Sequence, residues 1–378
     1  MADLLRQEIA TAAHTIVVKV GSRILTDPEG LLDQVRVASL AEELHQVLQL
    51  GRRVALVSSG AVAAGMGRLG LKKRPTDLAQ LQAVAAVGQT SLVEAYDRTL
   101  RSHGRHAAQI LLIADDLDNR TRYLNIRNTV LTLMKLGAVP IINENDTVSV
   151  EELQTTFGDN DRLAAMVTNL IRAPLLVLLS DVEGLYDGEP DDPASRLLST
   201  VTTLDESIFS LVRDRATGLS KGGMASKLEA ARVATSAGEN VVIASGKQPG
   251  NLLAILAGKP VGTLFVARGE AVPSWKRWIG MTVQPRGKLV LDDGARRAVE
   301  TNGRSLLAIG VVDVQGAFRK GDVVAICDRQ GQEFARGLTN YSADDVLRIK
   351  GLKTDQIAVA LGHCPYEEVV HRDNLAVC

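Results

Sequence analysis

From residue 15 to about 266 the chain alternates two patterns. Short runs of Val, Ile and Leu recur: TIVVKV (15–20), RRVALVSS (52–59), HAAQILLIA (106–114), AVPIIN (138–143), APLLVLLS (173–180), NVVIA (240–244) and GTLFV (262–266). Between them lie longer stretches with apolar residues at helical spacing, such as LLDQVRVASLAEELHQVLQL (31–50) and GGMASKLEAARVATSAG (222–238). Several runs are apolar at consecutive positions, the pattern of strands covered on both faces. Strand, helix, strand, repeated, predicts an α/β fold: an open, mostly parallel sheet sandwiched by helices. Such sheets bind ligands at the carboxyl ends of their strands. The residues that follow each run are therefore the first candidates for chemistry.

The pattern breaks within ARGEAVPSWKRWIGMTV (267–283), which holds a proline and both tryptophans. Beyond it, GKLVLDDGA (287–295), SLLAIGVVDVQGAFRKGDVVAICD (305–328) and QEFARGLTNYSADDVLRIKG (332–351) read as short alternating strands with glycine turns. A small, β-barrel-like second domain is expected. The division predicted is 1–268, a linker at 269–283, and 284–378.

Composition narrows the class. The 378 residues suit two domains, and 46% apolar with only 3% aromatic fits a helix-covered sheet rich in Ala, Val and Leu. A net charge of −1 gives no whole-chain case for nucleic acid or a membrane surface. Cys327, Cys364 and Cys378 form no CxxC, so a reduced cytoplasmic protein without a structural metal is expected. MADLLRQEIATAAHT has scattered charges and no apolar core of a signal peptide, and no apolar run reaches the length of a membrane span.

The strand ends carry the chemistry. SSGAVAAGMGRLG (58–70) follows the second run. Its small residues serve either a tight strand-to-helix turn or a close backbone approach to a ligand, with helix-start N–H groups offered to an anion. It contains no P-loop, and its GMGRLG (65–70), which spells GxGxxG, lies several residues beyond the strand end instead of in the turn directly after it, so it is not a Rossmann fingerprint. NENDTV (143–148) follows the fourth run. Asn143, Glu144, Asn145 and Asp146 make either an Asx-rich turn or a site for a cationic group such as an α-ammonium. FGDNDRLAAMV (157–167) sets Gly158, Asp159, Asn160 and Asp161 before an apolar helix. One cap needs one such residue and three are present, so a role in holding Mg²⁺ indirectly or orienting cations is expected beside capping. Ser180-Asp181 closes the fifth run and is either part of a plain loop or the place where a nucleotide sits. In TGLSKGGMASKLEAA (217–231), Gly222-Gly223 precede a helix with Lys227 near its first turn. A lysine there opposes the helix dipole, which points either to a nearby anion or to an ordinary solvated surface lysine. Lys221 is a second candidate for that role.

Lys19, inside TIVVKV and two residues before Gly21, is the other cation. Lys19 and Lys227, with Asp159 and Asp161 arranging them and Mg²⁺, are the set that phosphoryl transfer requires: charge neutralisation of a moving γ-phosphoryl group and in-line positioning.

KVGS (19–22), SSGAVAAG (58–65), NENDTV, FGDND, LLSDVEGLYD (178–187) and GGMASK (222–227), in that order, resemble the amino acid kinase family. The set together looks like its glutamate 5-kinase branch. The tail from about 284, closing on EVVHRDNLAV (368–377), resembles a PUA domain. The resemblance implies ATP-dependent phosphorylation of the γ-carboxylate of L-glutamate to L-glutamyl 5-phosphate, the first step of proline biosynthesis. Matched motif by motif, it assigns Lys19 and Lys227 to the phosphates and the transferring group, and Asp161 to holding both lysines. It assigns Ser59, Gly60, Asp146 and Asn160 to glutamate. It assigns Lys19, Gly21, Ser180, Asp181, Lys221, Gly222, Gly223, Met224 and Lys227 to ATP, with Mg²⁺ held mainly by ATP phosphates. Lys221 stands where the family has a threonine, so a hydroxyl contact there is not implied.

The residues agree with that assignment. Asp146 complements an ammonium, and N–H groups near Ser59 and Gly60 suit a carboxylate. A γ-carboxylate, with an ordinary pKa of about 4.3, is already a nucleophile at neutral pH, so no general base is needed. The family further implies a homodimer or homotetramer, proline as feedback inhibitor, and glutamyl phosphate reductase as consumer of the product. Two other readings remain: a relative acting on N-acetylglutamate, aspartate, carbamate or a nucleoside monophosphate, and an RNA-binding protein acting through the tail. Residues 284–378 carry 13 Lys/Arg and 13 Asp/Glu, without the basic excess usual for RNA.

Overall fold

All six residues of Thr15–Val20 are buried, and they form β1 in the interior of an eight-stranded sheet. The structure, a computed structural model, describes residues 3–148, 160–190, 192–212, 223–267, 276, 278–362 and 366–377. It divides into two units, Met1–Asp116 with Arg120–Ala271, and Leu117–Asn119 with Val272–Cys378.

In the first unit the other strands are β2 (Arg53–Ser58), β3 (Ala107–Leu112), β4 (Val139–Glu144), β5 (Leu175–Ser180), β6 (Thr200–Val201), β7 (Asn240–Ser245) and β8 (Thr263–Phe265). Their order is β3-β4-β2-β1-β5-β7-β8-β6. Every pair is parallel except β7 with β8. The sheet is thus mostly parallel, as the consecutive apolar runs predict. β6 has only two residues, too few to show a period in the sequence.

Strand alternation sends β1 side chains to two layers. Ile16, Val18 and Val20 join a core with Val37, Leu40 and Leu44 of the helix Gln34–Gln49 and Leu92 and Tyr96 of the helix Leu78–Ser102. The opposite face carries the helices Asn160–Ile171 and Met224–Ser236, which pack on each other. On the first face the helices Ala61–Leu69 and Leu78–Ser102 cross at very short range. A Cβ on Gly65 would lie 1.9 Å from the Val84 carbonyl oxygen, and one on Gly88 1.8 Å from that of Ala61. Only hydrogen fits at either crossing point.

The second unit is built on a five-stranded sheet, β10-β9-β11-β12-β13, from β9 (Gly287–Leu291), β10 (Val311–Gly316), β11 (Val323–Cys327), β12 (Glu333–Leu338) and β13 (Leu375–Val377). It holds more helix than its glycine turns suggest: Asp293–Glu300, Ala343–Ile349 and Thr354–Leu361. The Ala343 helix was signalled in the sequence, since Ser342 caps it by accepting from the Asp345 N–H and two aspartates fill its first turn. Val346 and Ile349 of that helix pack with Leu289, Leu291, Val324 and Ile326. Trp278 and Ile279, inside the expected linker, are buried in a π-helical turn, Trp278–Thr282, that packs with β12 and β13.

Candidate active site

Lys19 is the fifth residue of β1, paired in register with Val57 and Leu178. A lysine so placed sits in a strand buried on both faces, and an unpaired charge there would cost several kcal/mol, on the order of the effective burial penalty for a single ion. The structure pairs it. Its Nζ lies 2.6 Å from Asp161 Oδ1. Asp161 opens the helix Asn160–Ile171, where a carboxylate also complements the helix dipole. Its other oxygen accepts from Lys227 Nζ at 3.0 Å and from Ser226 Oγ at 3.3 Å.

Lys227 lies in the first turns of the helix Met224–Ser236, which starts at Gly223 without a side-chain cap. The anion its position implied is the Asp161 carboxylate. All three side chains are buried: Asp161 is 0% exposed, Lys19 3% and Lys227 6%. Burial alone would raise the Asp161 carboxyl. The two ammonium groups outweigh it and hold the carboxyl at about 2. Together the three side chains carry a summed charge of +1 at the carboxyl end of the sheet, where an anion is attracted.

A polar set lies at the ends of β2 and β4. Asn160 Nδ2 donates to Ser59 Oγ at 2.9 Å and to Asn143 Oδ1 at 3.0 Å. All three residues are buried. One helix start therefore supplies Asp161 to the lysines and Asn160 to the loops after β2 and β4. Asp146 is buried in the turn after β4. Its Oδ2 accepts from Gln89 Nε2 at 3.4 Å. The Ser59 N–H is taken by the Val20 carbonyl at 3.2 Å. The first N–H groups of the following helix have no partner within that helix. Gly60 is its N-cap at φ 109°, a left-handed value that favours glycine. Behind Ser59, the buried Ser58 hydroxyl bonds Tyr96 OH at 2.9 Å, and burial pushes the Tyr96 phenol pKa upward.

The third group lies after β1 and β5. Ser180 Oγ donates to Asp181 Oδ1 at 3.1 Å, and Asp181 Oδ2 pairs with Arg23 at 2.9 Å. Partial burial opposes the charge on Asp181, but the bonds from Arg23 and Ser180 lower its pKa. Gly21 sits beside Lys19: a Cβ on it would stand 3.7 Å from the ammonium nitrogen. Gly223 and Met224 form the start of the Lys227 helix. Gly158, Asp159, Lys221 and Gly222 lie outside the described residues. Sequence reasoning did not single out Gln89, Ser226, Arg23, Ser58 or Tyr96. Ser58 and Ser226 lie within quoted motifs without having been assigned a role, Arg23 lies in the short helix after β1, and Gln89 and Tyr96 reach the site from the interior of the helix Leu78–Ser102.

Among the described residues no group of three or more His, Cys, Asp or Glu could hold a metal ion, and both Asp161 oxygens face ammonium groups. These residues do not fit a resident metal, so Mg²⁺ is treated below as part of the Mg-ATP substrate.

The Amino acid kinase family profile matches residues 14–245, and the PUA domain profile residues 287–361. A Glutamate 5-kinase from Rhodopirellula baltica is 48% identical over 99% of this chain and 96% of its own length. One from Syntrophotalea carbinolica is 45% identical over 99% of this chain and 100% of its own. One from Moorella thermoacetica is 47% identical over 97% and 96%. A solved UMP kinase from Bacillus anthracis covers 68% of this chain and 97% of its own, at 14% identity and a TM-score of 0.46. With the family profile spanning seven of the eight strands and the lysine–aspartate cluster, the chain belongs to the amino acid kinase family, and its later residues match a PUA domain.

Proposed function

We propose that this protein transfers the γ-phosphoryl group of Mg-ATP to the side-chain carboxylate of L-glutamate, giving ADP and L-glutamyl 5-phosphate, the first step of proline biosynthesis. The observation that carries this reading is one buried carboxylate, Asp161, gripping two buried lysines beside the Asn160–Ser59–Asn143 and Asp146 group. Relatives named Glutamate 5-kinase, alike over nearly the whole chain, support the acceptor.

The roles follow from charge and position. Lys19 and Lys227 neutralise the phosphate oxygens as negative charge shifts toward the leaving ADP. Asp161 fixes both ammonium groups before substrate arrives, so that little reorganisation remains for the transfer step. An oxygen of the glutamate γ-carboxylate attacks the γ-phosphorus, the bond from that phosphorus to the β,γ-bridging oxygen breaks, and ADP leaves with the electron pair. Asp146 draws in the α-ammonium, while Ser59, Asn160 and the helix start at Gly60 receive the carboxylates. Ser180, Asp181, Gly21, Gly223 and Met224 border the nucleotide. Lys221 and Gly222 belong to the same segment by the family pattern. Mg²⁺ arrives on the phosphates.

The test is ADP release from Mg-ATP with L-glutamate, beside N-acetylglutamate, aspartate, carbamate and UMP, with hydroxylamine trapping any acyl phosphate. Glutamate-dependent turnover with trapped hydroxamate is expected. Turnover only with another acceptor would keep the kinase and overturn the substrate. The reading extends to a cytoplasmic homodimer or homotetramer inhibited by proline. An acyl phosphate is labile in water, which favours prompt reduction by glutamyl phosphate reductase.

A further inference from the structure

Gln89 is buried, yet the chemistry above gives it no task. It projects from the long helix Leu78–Ser102, directly after Gly88, the residue that lets this helix touch the Ala61 backbone. Its Nε2 donates to the Asp146 carboxylate and to the Glu144 carbonyl oxygen, both at 3.4 Å. Both neighbours are acceptors only, so they fix which end of the amide faces them. The Gln89 carbonyl oxygen is thereby turned away from both. Among the described residues it has no hydrogen-bond partner, and it is not sealed from solvent.

We infer that Gln89 is a further substrate-binding residue, whose amide oxygen accepts a hydrogen bond from the α-ammonium that Asp146 attracts by charge. The inference rests on the reading of this site as a glutamate site. An ammonium has three donors and is best held by more than one acceptor. Asp146 supplies the charge and one acceptor. Gln89 adds a neutral acceptor without a second negative charge, and its N–H bond to Asp146 keeps the carboxylate turned toward the same point. The pair makes the site selective for a free amino group over an acylated or absent one. An analogue lacking the ammonium would leave the Gln89 oxygen unmet and forgo the attraction to Asp146, which is how buried polar groups reject a near-isostere.

The experiment compares L-glutamate with glutarate, the same dicarboxylate without the amino group, by hydroxamate trapping in wild type and Gln89→Met. The methionine keeps the volume and removes the amide. The wild-type preference in kcat/KM for glutamate over glutarate is expected to fall about tenfold or more, as for loss of a hydrogen bond to a charged group, with glutarate turnover nearly unchanged. An unchanged preference in a folded variant overturns the inference, whether or not both rates fall together, because a purely structural role lowers both alike. Thermal melting checks the fold. If Gln89→Met does not fold, the same ratio measured in Gln89→Ala supports or overturns the inference in the same way. Wild type that phosphorylates neither compound overturns the glutamate reading itself, and that failure is visible before any variant is made.

Discussion

Lys19 and Asp161 meet at 2.6 Å between the middle of a sheet and the first turn of a helix, and neither side chain sees more than a trace of solvent. The same carboxylate also holds Lys227. In the proposed mechanism neither lysine can be replaced by water, because water does not carry the charge.

Lys19→Ala and Lys227→Ala should each lower kcat by about a hundredfold or more, the scale of losing one charge-stabilising group in a transition state. Circular dichroism should show the fold retained. Near-normal turnover in a folded variant would remove that lysine from the mechanism.

Asp161→Asn should lower kcat and stability together, since two buried ammonium groups then lose their counter-charge. The Asp161 carboxyl is held at about 2, below its ordinary 3.8. A depressed carboxyl stabilises the fold in full above the unfolded value and loses that contribution as pH falls through 3.8 toward 2. The contribution is on the order of 2 kcal/mol, about half of it gone by pH 3. Urea unfolding at pH 7 and near pH 3 should show the gap between wild type and variant narrowing. A gap independent of pH would contradict the ion pairs.

Asp146→Ala should act chiefly through the KM for glutamate, with a smaller change in kcat and none in the KM for ATP. An unchanged KM for glutamate would place the ammonium elsewhere.

Arg23 is exposed, and its pair with Asp181 should be worth under about 1 kcal/mol to the fold. Arg23→Ala should leave the melting temperature nearly unchanged and raise the KM for ATP several-fold, since both residues sit at the strand ends that the proposed function gives to the nucleotide. An unaffected KM for ATP would make the pair ornamental to binding.

Gly88→Ala should be destabilising by about 1–3 kcal/mol or more, the cost of overpacking a close contact, and should also raise the KM for glutamate. A Cβ there meets the Ala61 carbonyl oxygen at 1.8 Å, so the helix bearing Gln89 must move. A normal melting curve would show that the crossing is looser than its geometry.

The parallel sheet was legible because burial on both faces writes unbroken apolar runs, and six of the seven runs became strands of at least five residues in one sheet. Lys19 stood out for the same reason, as a charge in a place that admits none without a partner. The residues left Asp159 and Asp161 both open as its partner and the family pattern named Asp161, because the pairing depends on which helix start lies over β1. Gln89 and Tyr96 were invisible for a related reason. Each sits on a helix at ordinary spacing, and its meaning comes from a partner on another element, Asp146 after β4 for Gln89 and Ser58 at the end of β2 for Tyr96. In the second unit the glycines at turns spoke louder than the short helices between them.

The three residues of the lysine–aspartate cluster come from widely spaced parts of the chain, Lys227 lying 66 residues beyond Asp161. During synthesis Lys19 is made first and must wait for Asp161, and Asp161 then waits for Lys227. The cluster is whole only when all three segments are in place, so recovery of activity during refolding should report completion of the kinase unit more strictly than recovery of helix content.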